Sequence, residues 1–394
     1  MKYVVIGGGV VGTAISRELA IKGSEVVVLE KEATAGLHAS GRNSGVIHSG
    51  INQKPRTLKA TLSVQGSKLL REYCLESGVP MRECGTILLA NNTREIAQLR
   101  KLYDYALESR VPDVCIISQG ELKDREPHAR GLEGLFSPTG AIVDTKILME
   151  KLVDDAQKKG VQFFWNTEVK KVHDNKVETT NKDYRFDYLV NCSGLHADTL
   201  AHTNGIGKSY SILPFREDYR EVPAEVNGMI YHVPDLRFPF LGVHLTKTIE
   251  GEVIAGSTAT LSFAGREGYE GGINRKFLSE TANTTNFWLW AVRTLMSPST
   301  LNQVMHNLRI SRDPKKFIED INKIYDGEID VDHLKIYRSG IRPQLVDGMG
   351  RLVHDFLIND QLGNQLHLLN TVSPGLTASL AFAKHITKVY LNKK

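Results

Sequence analysis

Tyr3-Val4-Val5-Ile6 runs straight into Gly7-Gly8-Gly9-Val10-Val11-Gly12. The first four residues are apolar and β-branched or aromatic, which suits a buried parallel strand. The next six spell G-x-G-x-x-G. Residues 13–22 then follow with helical spacing, turning Ala14, Ile15, Leu19 and Ile21 towards a core, and Gly23 stops the helix. Glu25 to Leu29 reads as a second strand with Glu30 at its end. Each part has a physical task in holding a dinucleotide. Gly7 permits a tight turn, Gly9 lets the backbone approach a pyrophosphate, and Gly12 lets helix and strand pack closely. The helix N-terminus offers free N–H groups, with Val10 and Val11 in its first turn. Glu30 stands where an acid accepts hydrogen bonds from ribose hydroxyls, followed by Lys31. This acid favours FAD or NAD over NADP and does not separate FAD from NAD.

The chain has 394 residues, enough for two units sharing an interface, with 41% hydrophobic and 24% charged residues. The formal charge of +4 comes from interspersed acids and bases, and no basic stripe argues for nucleic acid. It fits an acidic substrate or an anionic membrane surface. Cys74, Cys84, Cys115 and Cys192 show no zinc-knuckle or Cys-x-x-Cys spacing, so no metal is expected and the thiols read as inert ones in a reducing cytoplasm. Lys2 leads directly into the strand and then glycines, so the start reads as structure and not as a targeting segment. No window approaches the ~20 apolar residues of a spanning helix. The expected location is cytoplasmic, with peripheral contact on the inner face of a membrane left open.

After the second strand comes Ala39-Ser40-Gly41-Arg42-Asn43-Ser44-Gly45-Val46-Ile47-His48-Ser49-Gly50-Ile51, a small, polar, glycine-rich loop able to wrap an extended cofactor; turn residues of a surface loop have the same composition. This loop resembles the flavin loop of the D-amino-acid-oxidase-like FAD superfamily. From Arg42 to Ile51 it is more similar still to the L-2-hydroxyglutarate dehydrogenase/oxidase family. Ser137-Pro138, Gly140 to Asp144, Leu189 to Asp198, Pro234 to His244, Arg266-Glu267-Gly268-Tyr269 and Ser373 to Ser379 extend the resemblance over nearly all of the chain. Residues 275–328 match least. Glu217 stands where the family usually has glycine after the arginine, and Asn52 where it usually has an aromatic residue.

The resemblance implies an α/β fold: a Rossmann-like FAD-binding domain interleaved with an α+β substrate domain on a mixed or antiparallel sheet. Residues 1–80, 145–212 and 332–394 are expected in the first, 81–144 and 213–331 in the second. Asp144 to Lys159 reads as a crossover helix and Val161 to Trp165 as a strand, and Gly85–Leu89, Leu241–Thr246 and Val253–Gly256 as strands of the second sheet, with Glu250-Gly251 a hairpin turn. Phe287 to Met296 is an aromatic-rich helix that either packs on its own domain or docks on a membrane or partner. Noncovalent FAD is implied, held by Gly7, Gly9, Val10, Val11, Gly12, Glu30, Lys31, Ser40, Arg42, Asn43, Ser44, Gly45, Ser193, Gly194, Gly340, Arg342, Pro374, Gly375, Leu376 and Thr377, with Val169 either an adenine contact or a plain strand residue.

The implied reaction is oxidation of L-2-hydroxyglutarate, or a related small anionic 2-hydroxy acid, to the 2-oxo acid. It needs a base for the hydroxyl proton and a cation for the carboxylate. His48 is the first choice as base and His244 the second. In a strand, Gly242, His244 and Thr246 would share one face. Among Arg342, Arg266, Arg216 and Arg237, Arg342 is placed beside the flavin, with Tyr219, Arg216 or Arg266 as carboxylate contacts; each arginine has a surface ion pair as its alternative. Oxygen, a quinone or a carrier protein all remain open as electron acceptor. Alternative readings are a glycerol-3-phosphate dehydrogenase, an amine or amino-acid oxidase, and a non-catalytic flavoprotein subunit.

Overall fold

The computed structural model describes residues 1–238 and 240–391. Pro239, within the Pro234 to His244 run, and residues 392–394 of the last expected segment lie outside the described residues.

A six-stranded sheet runs in the order Leu357–Asn359, Gln365–Asn370, Tyr188–Asn191, Lys2–Ile6, Glu25–Leu29, Gln162–Phe164, parallel except at the 357–359 edge. Why its strands are apolar without alternation is visible in the packing. Tyr3, Val5, Val26, Val28 and Val190 point to one face, into a core shared with helices Val10–Ile21, Thr145–Lys158 and Gly375–Ile386. Val4, Ile6, Val27, Leu29 and Leu189 point to the other, against the three-stranded meander Val169–Val172, Lys176–Thr179, Tyr184–Arg185. Both faces are covered, so period-two alternation disappears. Asp144 starts the crossover helix by accepting from the Lys146 and Ile147 N–H groups, each at 2.9 Å. Ile21, expected in the core, is half exposed at the end of its helix.

A nine-stranded mixed sheet forms the second layer system. Its order is Thr260–Leu261, Ser211–Glu221, Val253–Gly256, His244–Lys247, Met229–His232, Thr86–Ala90, Glu133–Ser137, Cys115–Ser118, with Lys335–Val346 also paired to Ser211–Glu221. Two expectations need correction here. Residues 335–346 were placed with the dinucleotide-binding segments, yet they pair with Ser211–Glu221 in antiparallel register from Ser211↔Val346 to Glu221↔Lys335. A strand's alternation does not tell which sheet it joins. The 241–246 strand begins at His244, because Gly242 takes a φ of +75° and bends the chain before it. The 250–251 turn does join strands 244–247 and 253–256.

Helix Thr285–Met296 packs one side on its own domain. Phe287 and Trp290 pack with Phe215 and Phe277, while Trp288, Val292, Leu295 and Met296 are exposed on the opposite side. No helix among the described residues is long and apolar enough to cross a membrane.

Candidate active site

A cleft of about 530 Å³ runs along the C-terminal ends of the parallel strands and under the nine-stranded sheet. At one end lie Thr167–Lys170 and Glu30; the middle passes Gly7, Gly9, Val10, Ser40, Ser193 and Gly194; the far end reaches His48, Glu217, Tyr219, His244, Gly340–Pro343 and Thr371–Thr377. Such a crevice outside the carboxyl ends of strands is the usual ligand position in open α/β sheets.

The glycines shape it. Gly7 has φ +100°, and a Cβ there would stand 2.6 Å from the Cys192 carbonyl oxygen. A Cβ on Gly12 would stand 2.0 Å from the Gly7 carbonyl oxygen, which is the close helix–strand packing the motif requires. Gly9 leaves the first turn of the helix open, and the Val10 N–H donates to Ser40 Oγ at 2.9 Å. Glu30 is buried and accepts from the Gly8 N–H at 2.7 Å through Oε2 and from the Glu32 N–H at 3.0 Å through Oε1. An extended cradle with an open helix N-terminus and a fixed acid at the second strand end fits an FAD-sized dinucleotide.

Of the residues expected to hold that cofactor, Gly12 and Gly45 do not line the cleft; the others do. Gly45 instead has φ +70° and faces the Val143 carbonyl. Asn43 and Arg42 shape the loop itself. Asn43 Nδ2 donates to the Ala39 and Ser40 carbonyls and its Oδ1 accepts from the Gly45 N–H. Arg42 donates to the Leu37 carbonyl and lies 4.1 Å over the Tyr269 ring. Lys31 pairs with Glu267, which also meets His196 Nε2 at 2.8 Å. These hydrogen bonds and charges hold the Glu267 carboxyl far below the ordinary range.

At the far end His48 and His244 share the cavity wall with Arg342 and Tyr219. The His48 backbone N–H donates to Thr377 Oγ1 at 3.0 Å, tying the loop to the start of helix Gly375–Ile386. Burial, then the charges of His244 and Arg342, bring the His48 imidazole down to about 4. Burial brings His244 to about 4 as well. Both rings are therefore neutral at physiological pH. His244 Nδ1 lies 2.9 Å from the Gly242 carbonyl oxygen, which only accepts, so the hydrogen sits on Nδ1 and Nε2 presents a lone pair. The ring stacks on Tyr231 at 4.3 Å. Burial, reinforced by the charge of Glu217, pushes the Tyr219 phenol far up and keeps it protonated.

Arg216 and Arg266 are not part of this wall. On strand Ser211–Glu221, Glu217 and Tyr219 face the cavity, so Arg216 and Asp218, at the alternate positions, face away. Arg216 pairs with Asp218 at 2.9 Å and donates to Ser339 Oγ at 3.1 Å. Arg266 is buried in a two-pronged ion pair with Asp198 and also donates to the Leu195 and Glu280 carbonyls. Burial alone would raise the Asp198 carboxyl; the Arg266 guanidinium holds it below its ordinary value. Both arginines, expected as substrate contacts, are consumed by carboxylates of the chain. Arg237 pairs at the surface with Asp235. Glu217, not singled out as a site residue, stands at the far end 3.3 Å from Arg342, and Lys59, buried outside the cavity lining, lies within electrostatic reach of that arginine. Lys59 carries no local signal, and Glu217 only its departure from the family's glycine, since the partner of each comes from a distant segment.

Residues 2–389 match the family described as FAD dependent oxidoreductase. The chain is 34% identical to the L-2-hydroxyglutarate dehydrogenase of Homo sapiens, covering 96% of this chain and 86% of that one. It is 33% identical to the enzyme of the same name from Indibacter alkaliphilus, covering 96% of each. Among solved structures, L-alpha-glycerophosphate oxidase from Mycoplasma pneumoniae with FAD bound superposes with a TM-score of 0.76 at 24% identity, covering 100% of this chain and 95% of that one. Glycine oxidase from Geobacillus kaustophilus superposes at 0.69 with 18% identity, covering 100% and 95%.

Proposed function

Because the chain belongs to the family of FAD-dependent oxidoreductases, we propose that it oxidises L-2-hydroxyglutarate, or a closely related 2-hydroxy acid, to the 2-oxo acid. One observation carries the chemistry: the end of the cleft away from Glu30 sets two neutral imidazoles against an arginine with a free donor. FAD, when bound along the cleft, supplies the acceptor for the hydrogen that leaves C2 with its electron pair.

His48 takes the hydroxyl proton. It can do so because its ring is neutral and lies within the field of Arg342, which lowers the cost of a substrate anion nearby. Arg342 holds the carboxylate: its Nε is buried with no acceptor among the described residues, and a buried donor of this kind calls for a ligand oxygen. Tyr219, kept protonated, offers a further hydrogen bond from the cavity wall. A second reading exchanges the histidines, because His244 already has its tautomer set by Gly242 with Nε2 free to accept. Comparing His48→Asn with His244→Asn decides it, since the base variant loses reduction rate and the other loses mainly affinity.

The test is anaerobic mixing of the holoenzyme with L-2-hydroxyglutarate, other 2-hydroxy acids, glycerol 3-phosphate and amino acids, following the flavin band. Bleaching by the first, faster than by the rest, supports the reading; bleaching by an amino acid or glycerol 3-phosphate alone overturns it. We further propose that the exposed side of helix Thr285–Met296, with Trp288, Val292, Leu295 and Met296, makes peripheral contact with a membrane, where a quinone would serve as acceptor. Co-sedimentation with anionic vesicles, lost on Trp288→Glu, checks it.

A further inference from the structure

Glu217 and Arg342 lie on neighbouring antiparallel strands. Phe215 stands opposite Arg342 and Glu217 opposite Gly340, so the acid and the guanidinium are diagonal neighbours on one face of the sheet. Both line the cavity that holds the two histidines. Arg342 Nη1 donates to Glu217 Oε1 at 3.3 Å, a long contact, while its Nε has no acceptor among the described residues. Among the described residues Glu217 is the sole carboxylate paired with Arg342. The site therefore contains its own carboxylate, loosely held, on the cation that must bind the substrate's carboxylate. Gly340, opposite Glu217, is held to glycine by the loop: a Cβ there would strike the Arg42 carbonyl oxygen at 2.3 Å.

We propose that Glu217 is an affinity-setting residue, a built-in competitor that occupies Arg342 until the carboxylate of the substrate displaces it. This rests on the reading that the substrate is an anionic 2-hydroxy acid. Two negative groups cannot share one guanidinium in a partly dry cavity without mutual repulsion, so every bound acid is opposed by the Glu217 charge. The effect scales with anionic charge: a dicarboxylate is opposed more than a monocarboxylate. Glu217 thereby acts on ground-state binding, and its removal changes affinity much more than the rate at saturation.

The test measures flavin reduction at varied L-2-hydroxyglutarate and 2-hydroxybutyrate in wild type, Glu217→Gln and Glu217→Ala. The half-saturating concentration of the dianion should fall tenfold or more in both variants, with a smaller fall for the monoanion and a much smaller change in limiting rate. In an Arg342→Met background the Glu217→Gln gain should disappear. An unchanged or higher half-saturating concentration, or a gain that persists without Arg342, overturns the proposal. If no 2-hydroxy acid reduces the flavin, the substrate reading fails by itself. Glu217 is then judged by binding of succinate and acetate to the oxidised holoenzyme, read as perturbation of the flavin band. The same charge-graded gain is expected there, and its absence counts against Glu217 alone.

Discussion

Replacing Lys59 by methionine should make the protein more stable and bind its substrate less well. Lys59 is only 6% exposed, in the first turn of helix Leu58–Ser77. Its Nζ lies 5.6 Å from the Phe356 ring centroid. Asp355, the acid that acts on it, already accepts the Leu58 and Lys59 backbone N–H groups at 2.9 Å each at the start of that helix. Burial, then the Arg342 charge, lowers the Lys59 ammonium from 10.5 to about 7, against the pull of Asp355. The folded state thus binds this proton less tightly than the unfolded chain. Stability is unaffected above pH ~10.5, falls by about 1.4 kcal/mol per pH unit down to ~7, and stays reduced by about 5 kcal/mol below that. At pH 7 the cost is about 4 kcal/mol, and methionine removes it while keeping the apolar stem. For a chain of this size that is roughly 5 °C in Tm. Thermal melts of both proteins with saturating FAD, from pH 6 to 10.5, should show the gain at neutral pH and its disappearance at the alkaline end. A gain that is constant across pH, or a less stable variant, would refute the reasoning. The same charge beside Arg342 favours a bound acid, so the wild-type half-saturating concentration should rise as pH passes ~7, and the variant's should not.

Three further outcomes are expected. His48→Ala should retain FAD and slow flavin reduction by ~100-fold or more, measured by stopped flow; a rate near wild type would remove His48 from the role of base. Because the histidines sit at about 4, the limiting rate of reduction at saturating substrate in the wild type should be level from pH 6 upward and decline only as pH falls below ~5, when protonation blocks the base. Arg266→Ala leaves Asp198 buried without its partner and should destabilise by about 3–5 kcal/mol in urea titration, whereas a simple rise in the half-saturating substrate concentration at full stability would make Arg266 a substrate contact after all.

How the nucleotide half folds was open to reading because its signals are local. Strand, turn, helix and terminal acid lie within Lys2 to Glu30, and the turn is set by steric limits a few residues away, as the φ of Gly7 and the close approach of Gly12 to the Gly7 carbonyl show; the Asp144 cap of the crossover helix is as local. The histidines and Arg342 were legible through resemblance of short runs. The active-site charges were not. Glu217 meets Arg342 125 positions away, Lys59 feels the Arg342 charge from another element, and Arg266 is claimed by Asp198 68 positions away. Arg216 and Tyr219, three apart on one strand, fall on opposite faces by alternation, but which of the two meets the cavity is set only by the tertiary fold. Which cation is free for a ligand is a question of charge compensation between distant segments. Amino-acid identity supplies the charges, but only strand register and burial decide which of them neutralise one another and which are left facing the cavity.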